Sequence, residues 1–227
     1  MITEKFNYTQ LKRKSVEGKR LYTTPEGTAV PSVTTILDKT KSEEKRLALA
    51  NWKKRVGPQA AQEIVTEASG RGTRMHKYLE DYCINDELKA PGSNPFSQQA
   101  NDMAKVIVEE GMCNFTEIWG TEIPLYFPEL YAGTTDAVGV YNGEPSIIDF
   151  KQTNKPKKEE WVDDYKTQLV AYALAHNEVY GTTIKQGVIL MCSKDLLYQT
   201  WTIKGDEFEL FTDHWLNRVQ SYYRLIA

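Results

Sequence analysis

The chain runs to 227 residues, 41% of them hydrophobic, which is enough for one sizeable core. No apolar run approaches the roughly 20 residues that cross a bilayer. Residues 1–14 are polar, without the apolar stretch of a signal peptide or the Arg- and Ser-rich character of a transit peptide, so a single soluble, intracellular domain with no membrane partner is expected. The net charge of −3 taken whole argues against a nucleic-acid binder, and Cys83, Cys113 and Cys192, odd in number and without a Cys-x-x-Cys pair, argue against a disulfide framework, a zinc knuckle or an iron–sulfur cluster and are expected as buried reduced thiols.

In chain order, 20–23 and 28–30 flank Pro25-Glu26-Gly27 and predict a small hairpin. Pro31-Ser32 turns into a short helix with Ser32 as its N-cap. Ser42 opens a second helix that runs to about Val56, where Gly57-Pro58 breaks it. A third helix is expected to about Ala68. Ser69-Gly70-Arg71-Gly72 reads as a further break, and a new helix then carries Thr73 to about Cys83. The stretch 85–97, with Pro91, Gly92 and Pro95, reads as a loop, and 98–110 as a helix ended by Gly111.

Charge is unevenly divided. Residues 1–80 carry 16 Lys and Arg against 9 Asp and Glu; the rest carry 12 against 22. That asymmetry points to a first part facing a polyanion.

The pattern changes after Asn114. Residues 116–127 and 131–141 are rich in β-branched and aromatic residues and predict two strands. Asn142-Gly143 is a strong hairpin turn, and 146–153 is the third strand. A long helix over 160–180 is closed by Gly181. Two strands follow at 184–192 and 198–203. The last helix, 206–225, carries Phe208, Phe211, Trp215, Val219 and Tyr222 at helical spacing, as core residues would be. The expected architecture is α/β (α+β): a central mixed β-sheet flanked by helices, with an N-terminal helical region. Within one domain, 1–112 forms the basic, mostly helical part and 113–227 the sheet.

Chemistry concentrates on the middle strands. Asp149 and Lys151 are two apart on a strand and share a face, with Phe150 turned away. A carboxylate there suits a hard divalent cation. Asp136, in Gly133-Thr134-Thr135-Asp136, lies about as far before the Asn142-Gly143 turn as Asp149 lies after it. The two carboxylates therefore face each other across the hairpin and repel unless a cation lies between them. His76 sits on the helix expected to open at 70–73, among Arg71, Arg74 and Lys77, and a neutral imidazole is a possible third ligand. Basic groups and free amides at a helix N-terminus also suit a phosphate. Gln168 and Tyr172, four apart on one helix face, either support the strand or meet a substrate.

Gly72 with His76, Gly133 with Asp136, Asp149 with Lys151, and Gln168 with Tyr172 occur in that order. The set resembles the PD-(D/E)xK nuclease superfamily, in the branch of RecB-type exonuclease domains. Pro31-Ser32-Val33-Thr34, Trp52-Lys53, Arg71-Gly72-Thr73, Gly133-Thr134-Thr135-Asp136 and Asp149 through Pro156 carry a closer resemblance, over most of the chain, to the mitochondrial genome maintenance exonucleases with their bacterial and phage relatives. The lack of four cysteines separates the chain from the iron–sulfur members.

This resemblance implies a restriction-endonuclease-like core and a DNA exonuclease preferring single strands, in replication, recombination or repair and alongside proteins of those processes. Asp136, Asp149, the Phe150 carbonyl and His76 would hold Mg²⁺ or Mn²⁺. Lys151 would position the nucleophile and stabilise the transition state. Gln168, Tyr172, Arg71, Thr73, Arg74, Trp52, Lys53 and Ser32 are the expected substrate-side residues, with Lys54 and Arg55 on the phosphate backbone. Helices would arch over the site so that a single strand threads through. A bacterial cytoplasm or a phage-infected host is the expected location. The rivals are a double-strand or structure-specific nuclease on the same scaffold and a nuclease-like module that binds without cutting.

Overall fold

The structure, a computed structural model, describes residues 2–16 and 19–227. Two sheets organise it. The smaller has the order β1 (Lys12–Val16), β2 (Lys19–Thr23), β3 (Ala29–Pro31), all antiparallel. The larger is mixed: β4 (Phe115–Phe127), β5 (Tyr131–Tyr141), β6 (Glu144–Thr153), β7 (Gln186–Ser193) and β8 (Tyr198–Lys204), with β6 and β7 parallel and the other pairs antiparallel. The Pro25-Glu26-Gly27 hairpin and the Asn142-Gly143 turn are where the sequence puts them. The first strand, Lys12–Val16, is an addition: its exposed residues, all polar but Val16, carry no apolar alternation.

The apolar pattern of the central strands explains the layers. Ile147 and Ile148, like Ile189 and Leu190, are adjacent residues that face opposite sides of the sheet. One side is covered by α1 (Val33–Lys39), α5 (Asp163–Tyr180) and α6 (Asp206–Ile226), and the other by α3 (Pro58–Asn85) and α4 (Pro95–Glu110). Strands buried on both faces read as continuous apolar runs. The aromatics of α6 are core residues as expected: Phe208, Phe211, Trp215 and Tyr222 are buried, and the Trp215 ring meets the Tyr131 ring edge-on at 4.8 Å. Cys83 and Cys192 are buried, whereas Cys113 is exposed.

Ser32 and Ser42 cap their helices as their type predicts, accepting from the Thr35 and Lys45 amides. Helix α2 (Glu43–Val56) buries none of its residues. It stands away from both cores, held near its start by the Lys45–Asp164 ion pair at 3.2 Å. Among the described residues no helix is long and apolar enough to cross a membrane.

Besides the exposed Cys113, one helix boundary fails outright. Ser69-Gly70-Arg71-Gly72 breaks nothing, because α3 passes through it without interruption for 28 residues. Gly72 serves packing instead. A Cβ there would lie 3.3 Å from Gln152 Cγ, so the missing side chain lets α3 approach β6. Tertiary packing outweighs the helix cost of about 1 kcal/mol per glycine.

Candidate active site

The pairing of β5 with β6 runs from the turn to Ala137 opposite Ile148 and stops there. Beyond that rung β5 stays with β4 and β6 with β7, so the sheet forks. Asp136 and Asp149 are the next residues in register. The Phe150 amide, left without a β5 partner, donates to Asp136 Oδ2 at 2.6 Å. A side chain thus replaces a rung of the ladder, and the fork opens a way between the two faces of the sheet.

Residues from both faces meet there. From α3, His76 Nδ1 lies 3.2 Å from Asp136 Oδ1, and its ring edge rests on Phe150 at 6.3 Å between centroids. The face toward α5 brings Asp149, 2% exposed, with Lys151 Nζ at 2.5 Å from its Oδ2. Gln168 Nε2 reaches Asp149 Oδ1 at 3.5 Å and Tyr172 Oη at 3.3 Å. Gly133 makes room for that brace, since a Cβ there would sit 2.8 Å from the Tyr172 hydroxyl.

Electrostatics separate the two carboxylates. Burial raises both, but His76, Lys151 and the Phe150 amide outweigh it at Asp136, whose carboxyl is held below the usual range. At Asp149 burial prevails over the attraction of Lys151, and Asp136 adds to it, so the carboxyl is pushed up. Burial works against protonation of Lys151 and His76; nearby carboxylates outweigh it and raise both.

Glu122 is a member of the site that sequence reading missed. It lies on β4 opposite Asp136, between the pairs Thr121–Ala137 and Ile123–Thr135. One ligand atom from each of His76, Glu122 and Asp136 fits within 4.8 Å of the others. Its backbone is left-handed, at φ 51°, in the middle of a strand, a conformation that costs a non-glycine residue about 1 kcal/mol or more. The available signal was register: Glu122 is the carboxylate that the β4–β5 pairing sets beside Asp136.

These groups fit a hard divalent cation. Oxygen donors with one imidazole suit Mg²⁺ or Mn²⁺. Asp149 Oδ2 is buried and makes no hydrogen bond of acceptable geometry, despite the nearby ammonium. Such an oxygen is costly to bury unless it gains a ligand.

A cleft of about 700 Å³ opens from this point, lined by Ser32, Thr73, His76, Glu122, Asp136, Gln168 and Tyr172. Other expected substrate residues lie elsewhere. Arg71 is 2% exposed and fully engaged, with Nε donating to Gln152 Oε1 at 2.9 Å, Nη1 to Glu67 at 3.1 Å and Nη2 to Asn154. It braces the end of β6 and faces no ligand. Arg74 sits over the Phe96 ring at 5.8 Å, away from the cleft. Trp52, half-buried, and Lys53, exposed, belong to α2 and do not line the cleft. With α3 unbroken, the expected free amides near 70–73 are also absent, because a mid-helix amide is already bonded.

The ordered motifs resemble those of PD-(D/E)xK-like exonucleases. In sequence the chain is similar to mitochondrial genome maintenance exonuclease 1 of three vertebrates. It is 27% identical to the Xenopus tropicalis protein over 206 residues, 85% of this chain and 57% of that one. The human protein is 26% identical over 85% of this chain and 58% of its own length. The mouse protein is 28% identical over 74% and 51%. The chain therefore spans little more than half the length of these relatives. No family model matches it. Among solved structures, a Eubacterium rectale protein aligns over 67% of each chain with a TM-score of 0.46 at 12% identity. An alkaline exonuclease from Laribacter hongkongensis aligns over 66% of this chain and 81% of its own, with a TM-score of 0.27 at 11% identity.

Proposed function

We propose that the chain is a Mg²⁺- or Mn²⁺-dependent DNA exonuclease that prefers single strands. The observation that carries this is the fork itself, where Asp136 and Asp149 meet across the last rung with His76 and Lys151 against them. His76, Asp136, Asp149, Glu122 and the Phe150 carbonyl would hold the metal. When bound, the metal lowers the pKa of its water and neutralises phosphate charge.

The other residues follow from their contacts. Lys151 is kept protonated by Asp149 and Asp136, so its ammonium orients a hydroxide and offsets charge that develops on the phosphate. Gln168 and Tyr172 hold Asp149 in place. Helix α2, standing clear of the core with Lys53, Lys54 and Arg55 in its last turn and Trp52 beside them, is the natural arch for the strand to pass under.

The test uses end-labelled single-stranded, duplex and circular DNA with Mg²⁺ or Mn²⁺, comparing wild type with Lys151→Ala and Asp149→Asn. Wild-type cleavage no faster than either variant would falsify the nuclease reading. Cutting of circular single strands removes the exonuclease reading, and faster loss of duplex removes the single-strand preference. Metal binding is read separately, by calorimetry on wild type and Asp149→Asn.

A further inference from the structure

We propose that Arg13 and Arg20 form a clamp for a phosphodiester of the bound strand, in the cleft that the carboxylates also line. This rests on the nuclease reading and names the element that holds its substrate. Both arginines line the same cleft as His76, Glu122 and Asp136. They come from the β1–β2 hairpin, a strand pair with no counterpart in the motif set.

Register sets their relation. Arg13 pairs with Tyr22 and Ser15 with Arg20, so the four side chains share one face of the hairpin and the two arginines are diagonal neighbours. Diagonal partners in an antiparallel pair stand roughly 7–8 Å apart, close enough for two guanidinium groups to grip one anion. Among the described residues neither has a carboxylate within ion-pair distance, while Glu80, Glu122 and Asp136 line the cleft they share. Two cations held side by side repel, and an anion between them and the metal site relieves that repulsion.

The hairpin is fixed in place. Tyr22, on the same face, is buried and bonds Thr134 Oγ1 at 3.3 Å, two residues from Asp136. The Arg20 carbonyl accepts from the Ser32 amide at 2.9 Å, and Ser32 bridges to Ala132 on β5. The arginines are thereby tied to the strand that carries Asp136. A phosphodiester fits their chemistry, since a guanidinium fork matches two phosphate oxygens.

The experiment measures binding of a fluorescent oligothymidylate in Mg²⁺ by Asp149→Asn protein, which removes turnover, across a salt series. It is repeated with Arg13→Gln and Arg20→Gln added, and separately with Lys12→Gln and Lys14→Gln, which lie on the other face of the same hairpin. Loss of two single-strand phosphate contacts lowers the salt slope by about 1.4 and weakens binding roughly tenfold. The lysine pair is expected to change affinity less than threefold. Arginine-to-lysine replacements at both positions should keep the slope. Equal effects of the two pairs, no effect of the arginine pair in a protein that still melts cooperatively, or no binding by the Asp149→Asn parent would each overturn the clamp. If wild type degrades no DNA but the arginine pair still governs binding, the nuclease reading fails and the clamp stands.

Discussion

Asp136 and Asp149 stand opposite one another at the first position past the last β5–β6 rung, and Asp136 takes the Phe150 amide that a further rung would have used. The strand pair therefore ends in a carboxylate. One acid is stabilised as an anion by His76, Lys151 and that amide, and the other is left buried with its charge disfavoured.

Removing that second charge should stabilise the metal-free protein. The folded-state pKa of Asp149 lies above its unfolded value, so the ionised form costs stability at neutral pH and the cost fades as pH falls through the raised pKa. Asp149→Asn is expected to raise the melting temperature in chelator. Saturating Mg²⁺ should stabilise wild type, by about 2.7 kcal/mol at a hundred times its Kd, and stabilise the variant less. Scanning calorimetry in both conditions checks this; a destabilised variant in chelator contradicts it.

Glu122 trades backbone comfort for position. Glycine at φ 51° carries no left-handed penalty. Glu122→Gly should therefore gain about 1 kcal/mol in thermal unfolding while weakening Mn²⁺ binding measured by calorimetry. Glu122→Gln should weaken binding without the gain. Full affinity in both variants would remove Glu122 from the metal set.

The Gly133 position tests the brace. A methyl group there collides with the Tyr172 ring, 2.6 Å from Cε1. Gly133→Ala should cost about 1–3 kcal/mol and lower kcat, because Tyr172 and Gln168 shift away from Asp149. Adding Tyr172→Phe, which removes the closest polar atom, should recover part of the stability. An unchanged melting curve and rate for the single variant would argue that the brace is slack.

His176, one helical turn beyond Tyr172 on α5, gives a pH signature of its own. It is buried: Tyr8 Oη lies 3.1 Å from Nε2 and Thr182 Oγ1 2.8 Å from Nδ1. The Thr182 hydroxyl donates to Asn177, so it accepts from Nδ1–H, and Nε2 is left to accept from Tyr8. That network needs the neutral ring, and burial pushes its pKa down to about 4. The unfolded chain then binds the extra proton first. Stability is complete above about pH 6.5 and declines toward pH 4, by up to about 3 kcal/mol from this group. Denaturant unfolding from pH 7 to pH 4 should show the loss, and His176→Gln should flatten it.

Much of this was legible in the chain. The opposition of Asp136 and Asp149 followed from counting outward from Asn142-Gly143, because a tight turn fixes register. Ser32, Ser42 and Gly181 announced helix ends through side-chain or backbone chemistry that acts locally. What escaped reading was set by packing between distant segments. Gly70 and Gly72 looked like a break because their intrinsic preference is against helix, and only the nearness of Gln152 shows why they sit inside one. Glu122 has no motif of its own and gains meaning from the strand beside it. Arg71 looked like a phosphate ligand until Glu67, Gln152 and Asn154 were seen to claim its donors. Polar Lys12–Val16 gave no strand signal because neither face of that strand is buried.

The continuity of α3 carries a mechanical consequence. At about 1.5 Å per residue, its 28 residues form a rod of roughly 42 Å with no hinge between its outer turns and His76. The outer turns stand beside α2, and the inner turns are clamped by Met75, Leu79 and Cys83 in the core. A rod held at one end behaves as a lever. A load on the outer turns would bear, through the clamped end, on the imidazole of the proposed metal site.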